Sequence, residues 1–137
     1  MPEEVTQDGY RIVRVGKSGD VLLQEHYKSF NQECFDNTLP FVPVCRARSI
    51  RTPQGGRANA LYIPADETLA KRDYIVIDET LCGMFPFERL CLLHEMVHVK
   101  LSPQVGHGEE FIAEFKRVLD ANKWEVLGCI DECVRFC

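Results

Sequence analysis

Long apolar runs are missing from this chain. No stretch approaches the roughly 20 consecutive apolar residues of a membrane-spanning helix. The opening Met1-Pro2-Glu3-Glu4 lacks the basic and apolar regions of a secretory signal. The expectation is an intracellular, cytoplasmic protein. Positive charge is also short: 16 Lys and Arg stand against 21 Asp and Glu, giving a net charge of −5 and no basic footprint of a dedicated nucleic-acid binder. Paired C-x-x-C knuckles are absent, although the chain carries seven cysteines. An odd number of scattered cysteines does not make a complete disulfide framework and suits reduced thiols. Internal repeats and low-complexity segments are absent too. With 45% hydrophobic and 27% charged residues, the 137 residues suit one soluble domain with a modest core. We expect a single domain over 1–137: an N-terminal arm over 1–17, a core over about 20–124, and a C-terminal helical segment over 125–137.

Local patterns predict an α+β fold. Tyr10 to Val15 alternates as a short strand does. Ser18-Gly19-Asp20 can cap a helix running to about Asn37, with Leu22, Leu23, Tyr27, Phe30 and Cys34 at helical spacing. Phe41–Ser49 and Ala58–Ile63 read as strands, separated by a turn at Gln54-Gly55-Gly56. Pro64 to Lys71 is a polar connection. Tyr74-Ile75-Val76-Ile77 is the clearest strand, rich in β-branched residues. One helix is expected from about Pro86 and another from about Gly108 to Asn122, with a final helical segment from Trp124. A small sheet with helices packed against it follows, the helix from Pro86 lying in the middle.

That helix carries His94-Glu95-Met96-Val97-His98, an H-E-x-x-H pattern. Residues four apart share a helix face, so both imidazoles can grip one metal ion. Glu95 can serve as general base toward a metal-activated water. Leu90, Leu92, Leu93, Met96, Val97, Val99 and Leu101 make the surrounding helix largely apolar, hence buried. An unpaired buried polar group costs about 1–3 kcal/mol, and one metal would satisfy these polar side chains together.

A catalytic zinc site usually takes three protein ligands and leaves a fourth position open. The metzincin layout requires Gly at 101 and His at 104; Leu101 and Gln104 exclude it. Ser102 to Gly106 reads as a loop able to return His107, flanked by Gly106 and Gly108, to the metal. Glu110 and Glu114 are the rival third ligands, in a thermolysin-like arrangement.

Three segments resemble the SprT-like zinc metallopeptidase domain, the family of the Spartan protease. They are Tyr27 to Pro40, similar to a helix ending in F-x-x-x-L-P; Leu92-Leu93-His94-Glu95-Met96-Val97-His98; and Gly106-His107-Gly108-Glu109-Glu110-Phe111, matching G-H-G-x-x-F. Together they span roughly residues 20 to 120. The resemblance implies a zincin-like minimal metallopeptidase fold, zinc on His94, His98 and His107, and Glu95 as catalytic base. Many members also carry a zinc ribbon with C-x-x-C knuckles. This sequence contains none, so that module's role is not carried over.

The expected activity is that of a zinc-dependent endopeptidase, in which a metal-activated water attacks a peptide carbonyl while Glu95 takes its proton. A sheet edge can hold an extended substrate beside such a site. Tyr62, Tyr74 and His26 are candidates, by residue type, for stabilising the oxyanion. The alternatives are a zinc hydrolase of a small amide or ester, and a metal-stabilised domain that binds protein or nucleic acid without catalysis.

Cys34, Cys82 and Cys91 read as small core residues. Cys129, Cys133 and Cys137 recur every fourth residue, as a packing stripe on a helix would. Arg46, Arg48, Arg51 and Arg57 fall in a stretch without acidic residues. On a strand over 41–49, Arg46 and Arg48 share a face. A solvated face or charge-protected edge is the simpler expectation. The functional one is a weak, salt-sensitive association with DNA.

Overall fold

Tyr74-Ile75-Val76-Ile77-Asp78 is buried at every position, as a strand covered on both faces must be. In the computed structural model, which describes residues 3–15, 19–65, 73–101 and 107–121, this strand is β5 of a five-stranded mixed sheet. The other strands are β1 (Glu3–Val5), β2 (Arg11–Arg14), β3 (Val44–Arg51) and β4 (Ala60–Ile63). Their order is β1-β2-β3-β5-β4, with β3 and β5 parallel and the remaining pairs antiparallel. Three helices among the described residues complete the α+β architecture: α1 (Val21–Cys34), α2 (Phe85–Leu101) and α3 (Glu109–Ala121). No helix among the described residues is long and apolar enough to cross a membrane.

One face of β5 supplies Ile75 and Ile77 to the main core, which α1, α2 and α3 fill with Leu23, Phe30, Leu93, Met96, Phe111 and Phe115. The other face supplies Tyr74 and Val76 to a second cluster with Ile12, Cys45, Ala47 and Ile50. Helix α2 packs on α1, α3, β4 and β5, so it does occupy the middle of the helical layer.

Asp20 caps α1 as its position suggests, its side chain accepting from Leu23 N–H at 3.0 Å. The helix stops at Cys34 rather than Asn37, because Asp36 and Asn37 turn left-handed with φ of 52° and 58°. Leu23 is the buried member of its pair, and Leu22 remains exposed. The following strand starts at Val44, not Phe41. Side chains of α1 already bind the backbone a strand would need there. Asn31 bonds both Leu39 O and Leu39 N–H at 3.1 Å, Tyr27 donates its hydroxyl to Pro40 O at 2.6 Å, and Gln24 takes Val42 O and Val44 N–H at 3.0 Å. Gly55, at φ 87°, makes the expected turn between β3 and β4.

Strand β3 does not alternate simply. Val13 faces Ser49 and Arg14 faces Ala47, so Arg48 has no residue opposite it. This bulge lets Ala47 and Ile50, three apart, enter the same core cluster. Arg46 and Arg48 are therefore not equivalent: Arg46 is turned toward α2, where its Nη1 donates to Glu88 Oε2 at 2.7 Å, and Arg48 is exposed. Cys82 is likewise exposed rather than in the core, since it follows a short 3-10 turn over Glu79–Leu81; Cys34 and Cys91 are buried as expected. The expected final helix and Cys129, Cys133 and Cys137 lie outside the described residues, as do most of the 64–71 connection and the loop before His107.

Candidate metal centre

Helix α2 displays His94 and His98 one turn apart, and the chain returns to them at His107, just before α3. His94 Nε2 lies 3.0 Å from His107 Nε2, and His98 Nε2 lies 3.1 Å from it. One ring nitrogen from each of the three falls within 4.8 Å of the others. Exposure grades across the cluster: His94 is buried, His98 half-buried and His107 exposed. The site thus has a closed back and an open side.

Phe111 forms that back. Its ring centroid lies 4.9, 4.5 and 4.9 Å from those of His94, His98 and His107, and it is fully buried. Phe115, one turn further along α3, packs edge-on against His94 at 5.5 Å. Apolar packing strips water from the imidazoles and disfavours their charged forms. Burial, then the neighbouring histidines, push His94 down to about 2. Burial, then His107, push His98 down to about 4. Burial alone lowers His107. All three rings are held neutral near pH 7, with lone pairs available.

This arrangement fits a metal. Three neutral nitrogens lie within 4.8 Å of one another, and a single proton between any two of them leaves the third unserved. A cation satisfies all three. Nitrogens bound tetrahedrally at about 2.0–2.1 Å sit roughly 3.3 Å apart, close to the 3.0 and 3.1 Å separations here.

Glu95 follows His94 on α2 and is itself buried. Its Oε1 accepts the main-chain N–H of Tyr62, on β4, at 3.0 Å. Among the described residues its Oε2 has no hydrogen-bond partner, and it lies 3.7 Å from His94 Nε2. Burial raises this carboxyl to about 8, against the opposing pull of the Tyr62 bond. One carboxylate oxygen is therefore anchored, and the other is left beside the ligand nitrogens.

The structure separates the rival ligands from the centre. Glu114 is held by Arg117 and by Lys100 at 2.8 Å; burial pushes its carboxyl up, but the two cations together outweigh this and lower it, and Glu110 is exposed outside the cluster. The oxyanion candidates divide as well. Tyr74 belongs to the cluster on the far face of the sheet and donates its hydroxyl to Glu4 at 2.9 Å. His26 stacks on Phe30 within α1. The Tyr62 hydroxyl donates to Asp73 at 3.0 Å, so Tyr62 meets the site through its main chain. A backbone donor on a strand distant in sequence has no side-chain signature, and the sequence did not point to it.

The arginines do not form one free patch. Arg46 is bound by Glu88 at 2.7 Å and lies 3.5 Å from Asp20, and Arg57 pairs with the buried Asp78 at 3.4 Å. Arg48 and Arg51 are exposed.

Comparison with family models, with curated proteins and with solved structures found no match to this chain.

Proposed function

We propose that this protein is a zinc-dependent endopeptidase of the SprT-like kind, with a zincin-like arrangement of helix and sheet. The observation that carries the reading is the convergence of His94, His98 and His107 beside the unpartnered Oε2 of Glu95. A structural site normally closes its metal with four protein ligands, whereas three ligands and an adjacent carboxylate fit a catalytic one. Neutral imidazoles prefer zinc over harder cations. His94, His98 and His107 would hold the ion, which when bound would polarise a carbonyl, acidify water and favour the ionised form of Glu95.

The chain's own residues account for the proton steps. Glu95 takes a proton from the attacking water at Oε2 as the water oxygen joins the carbonyl carbon. The same oxygen returns the proton to the amide nitrogen as the C–N bond breaks. Phe111 and Phe115 shield the back of the centre. Strand β4 ends the described sheet and packs on α2, so a peptide extended alongside it would pass the open side.

The reading is tested by stripping the protein with a chelator, restoring zinc, and following hydrolysis of unfolded casein. Cleavage that disappears and returns with zinc supports it. A zinc-loaded protein that leaves casein intact but cuts a small amide or ester favours the small-substrate alternative. Inertness toward both favours a binding domain.

A further inference from the structure

Tyr62 stands opposite Ile75 in the β4–β5 ladder, but its N–H is not part of that ladder. Ile75 donates its own N–H to Pro43 O, on the β3 side, at 2.9 Å. Asp78 N–H donates to Asn59 O at 2.8 Å, which sets the same phase. Antiparallel pairs alternate between bonded and non-bonded, and the N–H and C=O of one residue point the same way. Tyr62 N–H therefore points away from β5, and it is spent on Glu95 Oε1 at 3.0 Å.

The consequence is an asymmetric carboxylate. The terminal torsion of a glutamate is broad, so an unanchored carboxylate exchanges its two oxygens readily. In Glu95, Oε1 is tied to β4 while Oε2, without a partner among the described residues, lies 3.7 Å from His94 Nε2. The Tyr62 side chain is separable from this role, because its hydroxyl is bound to Asp73.

We propose that the main-chain N–H of Tyr62 is the positioning group of the site, fixing Oε1 of Glu95 so that Oε2 is the oxygen presented for proton transfer. The inference rests on the peptidase reading. It makes the end strand β4 part of the machinery that aims the base.

The test separates main chain from side chain. Tyr62→Pro removes the N–H at an end-strand position where the ladder does not use it, a place proline is tolerated. Tyr62→Ala removes the side chain and keeps the N–H. Two readouts are taken on zinc-loaded protein: the Glu95 carboxylate stretch, from infrared difference spectra against Glu95→Gln, and kcat and KM on fluorescent casein. Tyr62→Pro should shift the carboxylate band, bind one zinc, and show a kcat roughly tenfold to hundredfold below that of Tyr62→Ala, with KM within about threefold. Tyr62→Ala should keep the wild-type band. Where proline disturbs the strand, shown by a lowered melting temperature, a backbone ester at residue 62 replaces only the N–H and gives the same comparison. An unshifted band and equal kcat in the N–H-lacking protein overturn the proposal. If zinc-loaded wild type cleaves nothing, the peptidase reading fails, and the carboxylate band still decides whether Tyr62 orients Glu95.

Discussion

His94 Nε2 and Glu95 Oε2 lie 3.7 Å apart, although their residues are consecutive on α2 and leave the helix about 100° apart. Both side chains bend toward the same space, one bringing a lone pair and the other an unpartnered acid oxygen. Each is nearly inaccessible to solvent, at 2% and 3% exposure. Adjacent buried polar residues would be costly if they served packing alone. In the proposed reading a cation and a proton-transfer role would give both of them work.

The third ligand is tested by removal. His107→Ala should weaken zinc binding by at least about 100-fold in competition with a chelator, since even outer-shell partners of metal ligands are worth 10–100-fold. Glu114→Ala should leave zinc affinity unchanged, because that carboxylate is bound to Lys100 and Arg117. The reverse pattern would assign the third position to the glutamate.

The metal-free protein should be most stable near pH 6.5. His94 and His98 have folded values lowered to about 2 and about 4 from 6.5, so the unfolded chain binds their protons first as pH falls. Their contribution is present above pH 6.5 and is lost progressively below it. Glu95 has a folded value raised to about 8 from 4.5. Its contribution is present below pH 4.5 and is lost as pH rises to 8. The two histidines outweigh it between pH 4.5 and 6.5; above 6.5 only the glutamate slope remains, at most about 1.4 kcal/mol per pH unit. Urea denaturation of chelator-treated protein from pH 4 to 9 checks this. Stability that keeps rising from pH 6.5 to 8 would contradict it.

Two arginines two positions apart should behave oppositely. Arg46→Ala leaves Glu88, whose side chain is only 1% exposed, without its cation. Breaking a buried pair from one side costs about 3–5 kcal/mol. Arg48→Ala, at the exposed bulge, should stay within about 0.5 kcal/mol. Chemical denaturation of both variants measures the difference, and equal stability would refute the burial of the Arg46–Glu88 pair.

The pattern of what sequence reveals here is physical. Helix α2 and its histidines are legible because a helical period is local and repeats every few residues. His107 is legible because it stands between two glycines shortly after the H-E-x-x-H helix. The Tyr62–Glu95 bond joins positions 33 apart and the Arg46–Glu88 bond positions 42 apart, and neither leaves a local trace. The bulge at Arg48 depends on β2, its neighbour in the sheet, so no alternation within β3 announces it. Strand β1 has three residues, too few for any period to show. Cys82 looks apolar in sequence, but it sits on a surface turn after Leu81 has filled the core.

In the proposed reading a bound metal and Glu95 act together on a peptide bond. The most direct measurement compares zinc-loaded wild type and Glu95→Gln on unfolded casein, with zinc content and melting temperature recorded for both. Glutamine keeps the shape of the side chain and cannot accept the proton. We expect one zinc per chain in each protein, intact folding, and a rate at least about 10²-fold lower in the variant. A Glu95→Gln protein that binds zinc and cleaves as fast as wild type would contradict that reading.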